Sequence, residues 1–243
     1  MDLGFGSVGF WLALLQIVWV NILLSGDNAV VIALAARALP PKQQKKAIVI
    51  GSGAAIAMRI VLTMVAAVLL RMPWLKMIGG GLLVYIGVSL LLPEGEEGGA
   101  DGGNGGMFAA VRTILIADLV MSLDNVIAVA AAAMGNNVLL IAGLAISIPL
   151  VIFGSTLLLK VIERFPVIVW AGAALLGFIA GEIFVDDPAI HDVSHGFGSA
   201  LGMSAKAFDM SSGVIGALIV LGLGSLMLRR QKVNAAAAPA AER

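Results

Sequence analysis

Hydrophobic and polar positions divide this chain into long apolar runs joined by short polar stretches. A run of about 20 apolar residues crosses a hydrocarbon core roughly 30 Å thick. Seven runs meet that length or come close to it: residues 8–36, 47–70, 74–92, 108–134, 138–160, 167–185 and 211–228. The pattern predicts an all-α integral membrane protein with seven transmembrane helices. The first and fourth runs are longer than one span needs, which implies tilt or a break in each.

Those two long runs also hold the polar residues that interrupt the pattern most. Asn21-Ile22-Leu23-Leu24-Ser25-Gly26-Asp27-Asn28 returns 97 residues later as Asp118-Leu119-Val120-Met121-Ser122-Leu123-Asp124-Asn125. The likeness extends further. Arg71-Met72-Pro73 returns as Arg164-Phe165-Pro166, and Gly79, Leu82, Leu83 and Ile86 match Gly172, Leu175, Leu176 and Ile179. Spans one to three therefore correspond to spans four to six. Because three is odd, the second set enters the bilayer from the opposite side. Such inverted repeats build many secondary transporters, whose sites lie near the midplane between the halves. The expected organisation is a first three-helix repeat (1–92), an acidic Gly-rich linker (93–107) and an inverted second repeat (108–185). An extracytoplasmic loop (186–210) and a seventh helix with its tail (211–243) complete it.

Composition agrees with a membrane protein and removes several function classes. Only 12% of residues are charged, against about 25% in a soluble domain. The formal net charge is zero, so nothing points to nucleic acid as a partner. The absence of cysteine excludes disulfides and thiolate metal sites. Asp2 follows Met1 without a basic n-region, and the first run is too long for a signal-peptide core, so it is expected to stay in place. Arg37, Lys42, Lys45, Lys46, Arg112, Lys160, Arg164, Arg229, Arg230, Lys232 and Arg243 fall on one side of the predicted topology. Only Arg71, Lys76 and Lys206 fall on the other. The positive-inside rule then puts the N-terminus outside and the C-terminus in the cytoplasm. Residues 235–243 read as a disordered end.

A carboxylate in an apolar span is costly unless it pairs, meets water or holds a cation. At about 1.5 Å of rise per residue, both Asp27 and Asp124 lie near mid-depth. Two carboxylates, the amides of Asn28 and Asn125, and the hydroxyls of Ser25 and Ser122 can thus converge. Such an all-oxygen set suits a hard divalent cation such as Mn²⁺, Mg²⁺ or Ca²⁺. Ser25-Gly26 and Ser122 also read as helix-breaking or capping signals, which would free backbone carbonyls as further ligands. The plainer alternative is that these Asp-Asn pairs cap or bridge neighbouring helices.

Asp118 replaces Asn21 of the first copy and lies one turn before Ser122. It is either a proton-exchanging group, a third ligand or a partner for Arg59. Arg59 falls in mid-span, where a guanidinium that hardly deprotonates must face carboxylates. It either yields to an entering metal or forms a static ion pair. Glu182, near the outer end of span six, is an outer ligand or gate, or simply reaches water. The loop beyond it carries Asp186, Asp187, His191, Asp192 and His195, and a His-x-x-x-His spacing with aspartates can hold a metal, although polar loops often share this composition. The glycines of spans three and six, Gly79-Gly80-Gly81 and Gly172, read as close helix packing.

On Asn21 with Ser25-Gly26-Asp27-Asn28, Asp118 with Ser122-Leu123-Asp124-Asn125, and the basic link after span one, the chain resembles the TerC family, and within it the YjbE-type branch. That family is similar to the wider LysE-like transporter superfamily. The resemblance covers roughly residues 8–228. It implies Mn²⁺ efflux across the bacterial plasma (inner) membrane, with Asp27, Asn28, Asp124 and Asn125 as the metal site. Arg59, Glu182 and Asn21 would compensate charge or gate. Protons are the expected coupling ion, no prosthetic group is expected, and an oligomer is compatible. Two other functions fit the class: export of small organic solutes, and a non-transporting membrane factor that helps other proteins insert or acquire metal. No nucleophile and base pair can be assembled from these spans, so an enzyme is not expected.

Overall fold

The computed structural model describes residues 7–23, 25–69, 72–92, 105–133 and 136–237. The described residues are helical and contain no strand: α1 (Val8–Leu23), α2 (Gly26–Arg37), α3 (Pro41–Leu69), α4 (Leu75–Leu91), α5 (Gly105–Ala133), α6 (Asn137–Arg164), α7 (Val167–Val185), α8 (His191–Ala200) and α9 (Ala205–Ala237). Five of these, α3, α5, α6, α7 and α9, contain segments long and apolar enough to cross a membrane, and the bent pair α1–α2 makes a sixth. α4 is apolar but has 17 residues, about 25 Å at the helical rise. This is an integral, multi-pass membrane protein. Arg71 and Arg243, used above to read topology, and residues 93–104 of the linker lie outside the described residues.

The two long runs behave differently. α1 and α2 meet at an angle of 49° at Ser25-Gly26. α5 instead runs unbroken through Ser122-Leu123-Asp124-Asn125, so the break expected there is absent. Two differences account for this. Leu123 stands where the first copy has Gly26, and the Ser122 hydroxyl donates to Asp118 Oδ2 one turn back at 3.3 Å instead of capping a helix end. The stretch 186–210 is also more than a loop, since it folds α8 and opens α9. α9 continues through Ala237, three residues into the tail that composition marked as disordered; residues 238–243 lie outside the described ones. Residues 105–107 of the linker already belong to α5.

Exposure is inverted relative to a soluble protein. Trp11, Leu15, Trp19, Val61, Phe153 and Leu218 face outward, while Arg59, Asp118 and Asn21 are buried. With lipid outside, apolar burial gives little drive for association, and packing with polar bonding takes over. Helices from before and after residues 93–104 pack together: α3 lies along α5, α1 and α2 lie along α6, and α4 lies along α7. One apolar cluster draws Ile32, Leu34, Ile48 and Leu91 together with Ile114, Leu159, Val169 and Val220. α9 packs on α7 and α4. Its contact with α7 is backbone to backbone: a Cβ at Gly181 would fall 2.1 Å from the Ser212 carbonyl oxygen, and one at Gly216 would fall 2.1 Å from that of Gly177. Of the earlier glycine triplet, Gly79 and Gly80 pack against Val120 and the Ala180 carbonyl, whereas Gly81 faces open space.

Two ties define the ends of the bundle. At one end, Arg37 Nη2 donates to the Leu90 carbonyl at 3.1 Å, joining the last turns of α2 and α4. At the other, Asp187 accepts the backbone N–H groups of Trp74 at 2.9 Å, Met77 at 3.1 Å and Ala189 at 2.8 Å. Burial alone would raise the Asp187 carboxyl above its ordinary value, but these N–H donors outweigh it and hold the group below. Asp187 thereby fixes Trp74, whose φ of 70° lies in the left-handed region. That conformation costs a non-glycine residue about 1–2 kcal/mol.

Candidate metal-transport site

The residues of the two motif copies meet on one guanidinium. Arg59, midway along α3 and 2% exposed, donates through Nε to Ser122 Oγ at 2.9 Å. Its Nη1 donates to Asn21 Oδ1 at 2.8 Å and to Ser25 Oγ at 3.1 Å. Its Nη2 pairs with Asp118. Asn21 and Asp118 are equivalent positions in the repeat, as are Ser25 and Ser122, so Arg59 bonds both members of both pairs. Asn21 Nδ2 donates onward to Ser147 of α6, and Thr63 Oγ1 donates to the Arg59 carbonyl at 2.7 Å. Burying a charge this deeply requires such saturation, because an uncompensated polar group in a low-dielectric interior costs several kcal/mol.

This clasp explains the break in the first run. Ser25 occupies the N-cap position of α2 but makes no capping bond, since its hydroxyl donates weakly to Asn21 Oδ1 at 3.5 Å and accepts from Arg59. Asp27 takes over part of that work. Its Oδ1 accepts the Asn28 N–H at 2.8 Å, which places a carboxylate at the positive end of the α2 dipole.

Beside the clasp lies a cavity of about 400 Å³ lined by Asp27, Met121, Asn125, Ile179, Glu182, Ile183, Asp186 and Asp209. Asp27 comes from the first motif, Asn125 from the second, Glu182 from the last turn of α7, and the remaining two carboxylates from the α8 end of the bundle. A second cavity of about 430 Å³ opens at the opposite end, between Leu34, Arg37, Ser89 and Glu163. Asp27 and Leu34 are seven residues apart on α2, about 10 Å of rise, and the buried side chains of Ala29, Val31, Ile32 and Ala33 lie between them in sequence. The motif residues are thus approached from the α8 end.

Asn28 is 3% exposed, and neither its Oδ1 nor its Nδ2 has a hydrogen-bond partner among the described residues. It lines a small pocket with Ser25, Ser52, Arg59 and Asp118, in which the Ser52 hydroxyl is likewise unpartnered. Buried amides are rarely left this way.

The sequence-derived site therefore divides into two groups. Asn21, Ser25, Arg59, Asp118 and Ser122 gather in the clasp, with Asn28 against it. Asp27, Asn125 and Glu182 line the cavity. The Asp124 side chain lies outside the described residues, and with it the expectation that Asp124 faces Asp27. Asp187 is taken up by backbone N–H groups and is structural rather than a ligand, which corrects its place among the candidate metal ligands of the loop. The sequence reading passed over Asp209, Ser147 and Ser52. Asp209 carried a signal, as a carboxylate two residues before the last apolar run. Lone hydroxyls in apolar helices carry almost none, since they satisfy themselves on the preceding turn.

Residues 7–233 match the family described as the integral membrane protein TerC family. The uncharacterized membrane protein YjbE of Bacillus subtilis (strain 168) is 45% identical over 178 residues, covering 73% of this chain and 81% of that protein. YceF of the same organism is 29% identical over 167 residues, 65% of each chain. The inner membrane protein YoaE of Escherichia coli (strain K12) is 28% identical over 214 residues, and that match covers 80% of this chain but 41% of YoaE. No solved structure matches.

Proposed function

The chain belongs to the TerC family of integral membrane proteins, and from that premise we propose that it is a transporter exporting a divalent metal cation, Mn²⁺ first, by exchange for protons. The observation that carries this reading is the cavity lined by the carboxylate residues Asp27, Glu182, Asp186 and Asp209 together with Asn125. An oxygen-only set of carboxylates and a carboxamide selects hard divalent cations, and its excess negative charge is what a dication balances. Asp27, Asn28, Asp124 and Asn125 are the proposed ligands at the centre, and Asp118, Ser25 and Ser122 the deeper oxygens now engaged by Arg59. A cation arriving from the cytoplasmic side competes with Arg59 for Asp118 and moves on to Asp27, and a proton taken up by Asp118 from outside releases it into the cavity.

The inverted-repeat, seven-span architecture belongs to the same proposal, with α4 as the short third span, the N-terminus outside and the C-terminus cytoplasmic. Exchanging the two halves turns the α3–α5 contact into the contact of α6 with α1 and α2, and leaves α4 against α7. The observed packing follows this scheme, which supports it. On this topology the cavity at the α8 end faces outside, and the site is reached from the release side. An organic-solute exporter would want an apolar pocket at the motifs. An apolar cleft lies elsewhere, between α4, α7 and α9, and none of the motif residues lines it.

The test is flux through purified protein in liposomes loaded with a Mn²⁺-sensitive dye. Wild type carries Mn²⁺, and Asp27→Ala and Asp124→Ala do not. Equal flux in wild type and Asp27→Ala, or none in either, overturns the reading.

A further inference from the structure

We propose that the α8 end of the bundle holds a second metal site, in which His191, His195 and Asp186 bind a borderline transition cation such as Zn²⁺ or Co²⁺, with Asp209 beside His195. The two histidines are four residues apart on α8, so both imidazoles project from one helix face, a spacing that suits a shared metal. Their ring centroids are 4.3 Å apart. One nitrogen of each and one carboxylate oxygen of Asp186 lie within 4.8 Å of one another. His191 Nε2 is already 3.7 Å from Asp186 Oδ1, close to the roughly 3.5 Å that separates two tetrahedral ligands bonded at about 2.1 Å.

A separate observation concerns His195. Its Nε2 stands 3.5 Å from Asp209 Oδ1, and both atoms are buried without a hydrogen bond among the described residues. A ring nitrogen and a carboxylate oxygen facing each other across a buried gap are stabilised when a cation joins them.

The surroundings hold these ligands in place. Asp186 Oδ2 pairs with Lys76, which leaves Oδ1 as a single ligand atom and orients it, the usual role of an outer partner. The next residue, Asp187, anchors the turn through backbone N–H groups. Asp192 is fully exposed on the far side of His191 and takes no part. Two imidazole nitrogens and one carboxylate oxygen favour borderline transition ions over Mg²⁺ and Ca²⁺, unlike the all-oxygen motif residues. Since Asp186 and Asp209 also line the acidic cavity, the site sits at its mouth, where a bound transition ion meets every cation passing through.

His191 and His195 are the two histidines of the chain, so any histidine signal from untagged protein reports this site. Metal-free full-length protein in detergent is titrated with Co²⁺. Wild type develops the intense visible bands of tetrahedral cobalt with imidazole ligands; Zn²⁺ abolishes them and Mg²⁺ does not. His191→Gln/His195→Gln loses the bands and one bound ion per chain, whereas Asp192→Asn retains both. Protection of both imidazoles from diethyl pyrocarbonate by Zn²⁺ reads the same site with no substitution at all. Absence of the bands in wild type, their persistence in the double variant, or unprotected imidazoles in Zn²⁺ would each overturn the proposal. These are binding measurements, so their failure leaves the transport reading intact, and a failure of Mn²⁺ flux leaves this site intact.

Discussion

The Arg59–Asp118 pair yields the sharpest energetic test, because its two halves are not equivalent when separated. Replacing Asp118 by Leu leaves a guanidinium that cannot shed its charge, hydrogen-bonded only to the neutral oxygens of Asn21, Ser25 and Ser122. Losing one partner of a buried pair costs about 3–5 kcal/mol, and Asp118→Leu is expected in that range. Replacing Arg59 by Met leaves a carboxyl that a proton can neutralise and that keeps its bond from Ser122; about 1–3 kcal/mol is expected, the cost of a few weakened hydrogen bonds. The double variant removes both charges. Asn21 still donates to Ser147 and still lies within reach of Ser25, so its stability should fall within about 2 kcal/mol of wild type, as for other buried pairs exchanged for apolar residues. The coupling energy is then about 4 kcal/mol or more, above the range of about 0.5–3 kcal/mol usual for residues in contact. Reversible unfolding in mixed detergent micelles, with the four proteins of the cycle compared at one pH, measures each term. Additive single substitutions, or an Asp118→Leu cost below about 1 kcal/mol, would mean that the pair behaves as a solvated surface bridge and that the clasp does not hold the motifs together.

Three further outcomes follow from the same geometry. Asn28→Ala removes a buried amide with no partner among the described residues and is expected to leave stability unchanged or raise it by about 1 kcal/mol while abolishing Mn²⁺ flux; loss of both stability and flux would make Asn28 structural. Gly216→Ala drives a Cβ to 2.1 Å from the Gly177 carbonyl oxygen, whereas a Cβ at Gly222 on the same helix meets nothing within 4 Å. The first should therefore destabilise by about 1–3 kcal/mol, and the second should be neutral or stabilise by up to about 1 kcal/mol through helix propensity, both read by thermal unfolding. Asp187→Ala orphans the N–H groups of Trp74, Met77 and Ala189 and should cost about 3 kcal/mol, with faster amide exchange confined to residues 72–77 and 187–200; unchanged exchange there would show that other contacts anchor α8.

Much of this was legible in the chain, for a physical reason. In lipid every backbone group must be satisfied within its own helix, so apolar length reports helices directly, and the run at 167–185 coincides with α7. The duplicated polar residues were legible because apolar surroundings make a carboxylate conspicuous. Positions where two helices must agree were not legible. Arg59 could be assigned to mid-span and to carboxylates, but a linear chain does not say that its four acceptors come in equivalent pairs. α8 was hidden because its ten residues are polar and glycine-containing, too short and too mixed for a period to stand out, and because its anchor, Asp187, reaches residues more than 100 positions away.

The departures from symmetry are where chemistry enters. Two faithful copies would set Asp at both Asn21 and Asp118, or Asn at both. With two carboxylates the buried cluster around Arg59 would carry net negative charge, and with two amides net positive; in either case the excess would be unscreened at low dielectric, where an unpaired charge costs several kcal/mol. One Asn and one Asp leave the guanidinium neutralised while keeping four acceptors on it. The second departure, Gly26 against Leu123, bends the first run and leaves the fourth straight. The bend turns the N-terminus of α2, with Asp27 in its first turn, toward the cavity, while the straight helix brings Asn125 to the same wall. A perfectly repeated pair of helices could not both neutralise Arg59 and present two different motif ends to one side, so the unequal residues are the ones on which the proposed transport depends.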